Sequence, residues 1–170
     1  SGFIHKGLDL LLDYFVKKKL DIMGCFLIEN YGKKKFIRKT PKYPNFLLST
    51  IINPINHMTV VFRKNSIIKL RGYPDIEYKE DMALWIKSLA RGLNIENMEK
   101  PLVETDVDKI QYQKRKNYVS IISEFKLLLF IISLKPHYLI FSFLITTFRI
   151  IYLILPVKIF NFLQLSFFRK

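Results

Sequence analysis

Two adjacent carboxylates, Glu80 and Asp81, stand in Tyr78-Lys-Glu-Asp-Met-Ala-Leu-Trp85, where a polar loop gives way to a helical pattern. A carboxylate held at such a junction beside a cleft can serve as a general base, taking the proton from a hydroxyl as that hydroxyl attacks. The same placement has a plainer meaning. Acids in a first helical turn oppose the macrodipole, worth roughly 0.3–1 kcal/mol each, and spacing alone favours that reading. His57, in Asn56-His-Met-Thr59, belongs to the residue type that serves most often in acid–base chemistry. By itself it reads as a hydrogen-bonded structural residue, since no neighbouring side chains complete a metal set. Cys25, the single cysteine, rules out an internal disulfide and a cysteine-based zinc site. Set in the apolar run Asp21-Ile-Met-Gly-Cys-Phe-Leu-Ile28, it reads as a small buried thiol rather than a nucleophile.

The elements that must position these groups follow from pattern. Leu8 to Lys19 predicts a helix, with Leu8, Leu11, Leu12 and Phe15 at helical spacing. Leu20 to Glu29 is a continuous apolar run and predicts a buried strand. Asn30-Tyr-Gly32 is turn chemistry, and Lys33 to Lys39 predicts the returning arm of a hairpin. Pro41 and Pro44 precede a short helix at Asn45 to Ile52. Thr59-Val-Val-Phe62 predicts a strand, and Asn65 is a good N-cap for a helix at Ser66 to Leu70, ended by Gly72. The helix carrying Glu80 and Asp81 predicts an apolar face of Leu84, Trp85 and Leu89, with Gly92 as its stop. Leu93–Asn97 and Leu102–Glu104 predict two short strands on either side of Pro101. Strands alternating with helices make residues 1–106 an α/β body.

The order and spacing of several pieces carry more than any one of them. Asn53-Pro-Ile-Asn-His-Met-Thr-Val-Val-Phe-Arg-Lys64, then Gly72-Tyr73, then Glu80-Asp81 with Leu84-Trp85, resembles the acceptor-binding half of family 2 glycosyltransferases. Leu20-Asp-Ile-Met-Gly24 and the hairpin after it are similar to the segment those enzymes carry before their Asn-Pro strand. The resemblance covers roughly residues 8–105. It implies a partial GT-A, Rossmann-like fold that lacks its N-terminal nucleotide-binding half. It implies that Asp81 is the catalytic base of an inverting transfer and that Glu80 orients it or touches the acceptor. Asn56, His57 and Thr59 are then expected to shape the acceptor pocket, while Trp85 reads as core first and pocket wall second. The implied partners are a nucleotide-sugar donor and a saccharide or lipid-linked acceptor. The implied cofactor is Mg²⁺ or Mn²⁺, with ligands not in this chain, for no acid pair precedes residue 9 and no Gly-rich phosphate loop appears. The Gln-x-x-Arg-Trp motif of processive synthases is also missing, which argues for single additions. Ser1-Gly-Phe-Ile-His-Lys-Gly7 has no initiator Met, long apolar region or cleavage site. The expectation is therefore a fragment, inactive in transfer without a donor-binding half.

Residues 107–170 read as a helical tail, predicted at Asp108–Leu134, His137–Leu155 and Val157–Lys170 with prolines at the breaks. Residues 1–113 carry 19 Lys and Arg against 13 Asp and Glu, whereas 114–170 carry 9 against 1, within the most apolar part of the chain. Basic residues recurring among Leu, Ile and Phe point to an anionic membrane surface, bound peripherally or monotopically, and the resemblance implies that it is the cytoplasmic face. Arg149 sits inside the second apolar segment and costs roughly 2.5–3.5 kcal/mol on insertion scales, which counts against a spanning helix. Spanning, lying in the interface and packing on the body all remain open from the sequence. A nucleic-acid partner is disfavoured, since no recognised motif accompanies the charge. The alternative to an enzyme part is a catalytically silent, membrane-associated interaction module.

Overall fold

The computed structural model describes residues 2–4, 6–32, 34–107 and 117–154. A mixed five-stranded sheet forms its centre. Strands β2 (Ile22–Tyr31) and β5 (Ile95–Asp106) run parallel through the middle, and β1 (Gly2–Phe3) pairs antiparallel with β5. On the other side of β2, β4 (Val61–Phe62) pairs with its first residues and β3 (Lys34–Arg38) with its last, both antiparallel. The chain passes from β2 to β5 through β3 and three helices: α2 (Phe46–Ile51), α3 (Lys64–Lys69) and α4 (Glu80–Ala90). Helix α1 (Gly7–Lys17) precedes β2.

Alternation along β2 divides the core. Met23, Cys25 and Leu27 meet Leu11 and Phe15 of α1, while Ile22 faces Ile55, Leu84 and Trp85. The first half of β2 is buried on both faces, which is why it reads as an unbroken apolar run. Burial also pushes the Cys25 thiol up from its usual range and keeps it protonated. Gly24 is required where it stands, because a Cβ there would lie 2.6 Å from both the Asn97 side-chain oxygen and Ile55 Cγ2.

Several expectations are corrected. Pro101 does not separate two strands: β5 is continuous and absorbs the missing donor in an irregular register opposite Cys25–Leu27. Only Val61 and Phe62 of the run from Thr59 form a strand. His57–Thr59 is a 3-10 turn, because the Thr59 hydroxyl accepts the Cys25 N–H at 2.9 Å and donates to the Asn56 carbonyl at 2.8 Å. Asn65 lies within the first turn of α3 instead of capping it. Arg63 holds the capping position, pinned by its N–H on the Asp21 carbonyl (2.9 Å) and its Nε on the Leu20 carbonyl (2.7 Å).

Two further helices, α5 (Tyr118–Leu134) and α6 (Leu139–Ile154), pack against each other and onto the body, joined by a 3-10 turn at Pro136–Tyr138. Asn117 caps α5, its side chain accepting the Ser120 N–H at 2.9 Å. The rest of the helix expected at Asp108–Leu134, residues 108–116, and the one expected at Val157–Lys170 lie outside the described residues. Leu127 and Ile131 of α5 fill a core with Met82, Ala83 and Ile86 of α4. Helix α6 is built the other way round. Its buried residues are Ser142 and Thr146, with Arg149 facing the same side, whereas Ile140, Phe143, Leu144, Phe148 and Ile151 are exposed.

Candidate active site

A cavity of about 1010 Å³ opens where β2 and β5 end, the edge of a parallel pair at which open α/β sheets bind ligands. Leu27 and Glu29 of β2 and Thr105 and Asp106 of β5 form its floor. Its walls are residues of the segment Asn53–Met58, Tyr73 and the run Tyr78–Met82. Arg38 and Arg149 bring positive charge to it from β3 and α6.

Asp81 lies in the first turn of α4, and its carboxylate is held from both sides. Oδ1 accepts the Met82 N–H at 2.7 Å, and Oδ2 accepts Asn53 Nδ2–H at 2.8 Å. Each oxygen keeps a lone pair for a further partner. The helix start supplies the backbone donor, and the rigid Asn-Pro corner supplies the side-chain donor, so the rotamer is set before any ligand arrives. Fixed orientation of this kind is what a base needs when proximity supplies much of its effect. Tyr73 stands in the field of this carboxylate: burial first, then the Asp81 charge, pushes its phenol up, so it remains an O–H donor facing the cavity.

The residues singled out from sequence separate into two groups. Glu80, Asp81, Asn56 and His57 line the cavity. Thr59 and Trp85 are fully buried and do not. Thr59 ties the 3-10 turn to β2, and Trp85 lies behind the wall with its ring about 6 Å from those of His57 (6.2 Å) and Tyr73 (6.4 Å). Asn56 is itself structural in one half: its Nδ2 donates to the carbonyls of Cys25 (2.9 Å) and Arg38 (3.2 Å). Its Oδ1 is buried without a hydrogen-bond partner.

Other site residues carried no sequence signal as single positions. Asn53 belonged to the Asn-Pro corner, yet its bond to Asp81 across 28 residues exists only in the fold. Glu29 ended an apolar strand; it is buried on the floor with Arg38 at 3.6 Å. Arg149 looked like a charge in a greasy helix. It reaches the body instead, donating to the Thr50 carbonyl at 2.9 Å and approaching Met82 Sδ at 3.8 Å. Among the described residues no three His, Cys, Asp or Glu side chains stand close enough to hold a metal ion.

No protein-family model matches the chain, and no solved structure matches it. Curated proteins do. A UDP-Gal:alpha-D-GlcNAc-diphosphoundecaprenol beta-1,3-galactosyltransferase of Escherichia coli is 34% identical over 123 residues, 69% of this chain and 45% of that protein. The amylovoran biosynthesis glycosyltransferase AmsE of Erwinia amylovora is 30% identical over 146 residues, 84% of this chain and 54% of that protein. An uncharacterized glycosyltransferase of Haemophilus influenzae is 36% identical over 74 residues, 44% of this chain and 27% of that protein. The chain thus spans about half the length of the first two (45% and 54%), and all three relatives are glycosyltransferases.

Proposed function

We propose that this chain is the acceptor side of an inverting family 2 glycosyltransferase with a GT-A fold, acting in surface polysaccharide or glycolipid synthesis. The observation that carries the reading is the Asp81 carboxylate, held by Asn53 and the Met82 amide at the rim of the cavity. An acceptor hydroxyl is a poor nucleophile until a base takes its proton as the new bond forms. With the acceptor in the cavity, Asp81 removes that proton, the oxygen attacks the anomeric carbon from one face, and the nucleoside diphosphate leaves from the other. Glu80 and His57 contact the acceptor, and Tyr73 donates a hydrogen bond to it. In this reading the divalent metal and the nucleotide would be held by residues of a donor-binding half.

The acceptor is a saccharide on a lipid carrier, and the chain meets it at the cytoplasmic face of a membrane. Support comes from the Escherichia coli relative, whose name specifies a diphosphoundecaprenol-linked acceptor, and from α6. The segment Pro136–Ile154 is long and apolar enough to cross a bilayer, with mean hydropathy 1.7. Its inward side is nevertheless anchored to the body through Arg149. A helix with its apolar side outward and its polar side on the protein suits monotopic seating in one leaflet.

The test joins these residues to a donor-binding half and measures transfer from UDP-galactose to a lipid-diphosphate-linked GlcNAc. Asp81→Asn keeps the shape and lowers the rate by about 10²–10⁴-fold. Near-normal transfer by that variant would sink Asp81 as the base. Transfer by the 170-residue chain alone would overturn the placement of the donor site elsewhere.

A further inference from the structure

Besides contacts to α2, the α5–α6 hairpin makes a set of contacts with the segment that bears Glu80 and Asp81. Asn117 Nδ2 lies 3.4 Å from the Tyr78 hydroxyl. Glu124, 1% exposed, meets Lys79 Nζ at 2.6 Å. The same carboxylate meets Arg149 Nη2 at 2.8 Å, and Arg149 in turn approaches Met82. Leu127 and Ile131 pack on Met82 and Ala83. Residues 78, 79, 82 and 83 are thus held from outside the body, and Asp81 lies between them.

We infer that Glu124 is a positioning residue of the site: its buried carboxylate clamps Lys79 and Arg149, and through Lys79 it sets the start of α4 and hence the Asp81 carboxylate. Lys79 is a natural handle for this. Its carbonyl accepts the Ala83 N–H at 2.8 Å in the first turn of α4, while its side chain runs to Glu124. The Arg149–Glu124 contact is a buried ion pair at 2.8 Å, and burial raises the strength of that attraction. Burial works to push the Arg149 guanidinium down, and Glu124 opposes it. A buried carboxylate loses part of the compensation for its burial when a cation beside it is removed. The clamp therefore closes only when the α5–α6 hairpin is seated, and the hairpin becomes a part of the site's geometry instead of an anchor alone. This inference rests on Asp81 being the base, but its first test does not.

That test is hydrogen exchange on the 170-residue chain in anionic lipid nanodiscs, read at the Met82 and Ala83 amides. Lys79→Gln leaves the Glu124–Arg149 pair intact; exchange at those amides rises about tenfold, while the amides of α5 stay within about twofold. Glu124→Gln raises it at least as much, and Glu124→Asp, which keeps the charge, returns it to within about threefold of the parent. Unchanged exchange at Met82 and Ala83 in both Lys79→Gln and Glu124→Gln overturns the inference. In the joined enzyme, Glu124→Gln lowers kcat about tenfold or more with acceptor KM within about threefold; a weakened KM with kcat intact also overturns it. Absence of transfer by the parent defeats the glycosyltransferase reading, whereas the exchange result stands or falls by itself.

Discussion

The body and the α5–α6 hairpin bury opposite kinds of side chain. In the body Trp85, Leu84, Ile22 and Ile55 are inside, and buried amides such as those of Asn56 and Asn97 bond backbone carbonyls. In α6 the small polar residues and Arg149 are inside and the large apolar ones outside. The same rule produces both. Apolar surface goes to the less polar medium, which for the body is its own core and for α6, in the reading proposed above, is one leaflet of a bilayer. Asn56 and Asn97 tie segments of the body together through neutral amides, whereas the hairpin is docked by a carboxylate between two cations. The second device is conditional, since loss of either cation leaves the buried carboxylate with a single partner.

Breaking this comparison is a matter of changing one region at a time. Trp85→Ala opens a cavity in the body and costs about 3–5 kcal/mol of unfolding free energy in urea titrations, the largest effect expected. Arg149→Met leaves Glu124 with Lys79 alone and costs about 2–4 kcal/mol; replacing Lys79, Glu124 and Arg149 together by apolar residues costs much less. If the single and triple changes cost the same, the hairpin is not docked by charge. Asn56→Ala removes the donor to two carbonyls and costs about 1–3 kcal/mol. Leu144→Ser, on the outer face of α6, changes stability by less than about 0.5 kcal/mol. It lowers co-sedimentation with anionic vesicles all the same, and unchanged sedimentation would remove the membrane from the picture. Smallest is an alkaline effect in the body. The Tyr14 hydroxyl donates to Glu96 Oε1 at 2.6 Å, and that bond, then burial and the Glu96 charge, push its phenol up to about 12. A raised folded value means stability that is present below the unfolded value of 10.0 and is lost as pH rises through about 12. Tyr14→Phe flattens that loss in stability measured between these two pH values.

Much of the body was legible because its signals are local. The apolar run at Leu20 to Glu29, the turn at Gly32 and the short helix from Asn45 needed only nearest neighbours, and each element appears within a few residues of its expected place. The misread elements are those where a distant partner decided. Thr59 left the strand because Cys25 offered its N–H from 34 residues away. Asn65 lost the cap because Asp21 and Leu20 hold Arg63. Pro101 stayed in a strand because β2 tolerates an irregular register beside it.

For Glu80 and Asp81, the sequence by itself determined the element, a helix start in a mixed α/β body, and the chemistry a carboxylate there could do. Spacing alone would have left that pair as helix-end electrostatics. Only the tertiary structure decided that Asp81 is gripped by Asn53 at the rim of a cavity, and that Trp85 stands behind the wall instead of in it. It alone turned Arg149 from an obstacle to membrane insertion into a partner of Glu124. The reason is physical: secondary structure follows from residues a few positions apart, but a hydrogen bond or buried ion pair between residues 25 or 28 apart in sequence exists only after the chain has closed the loop between them.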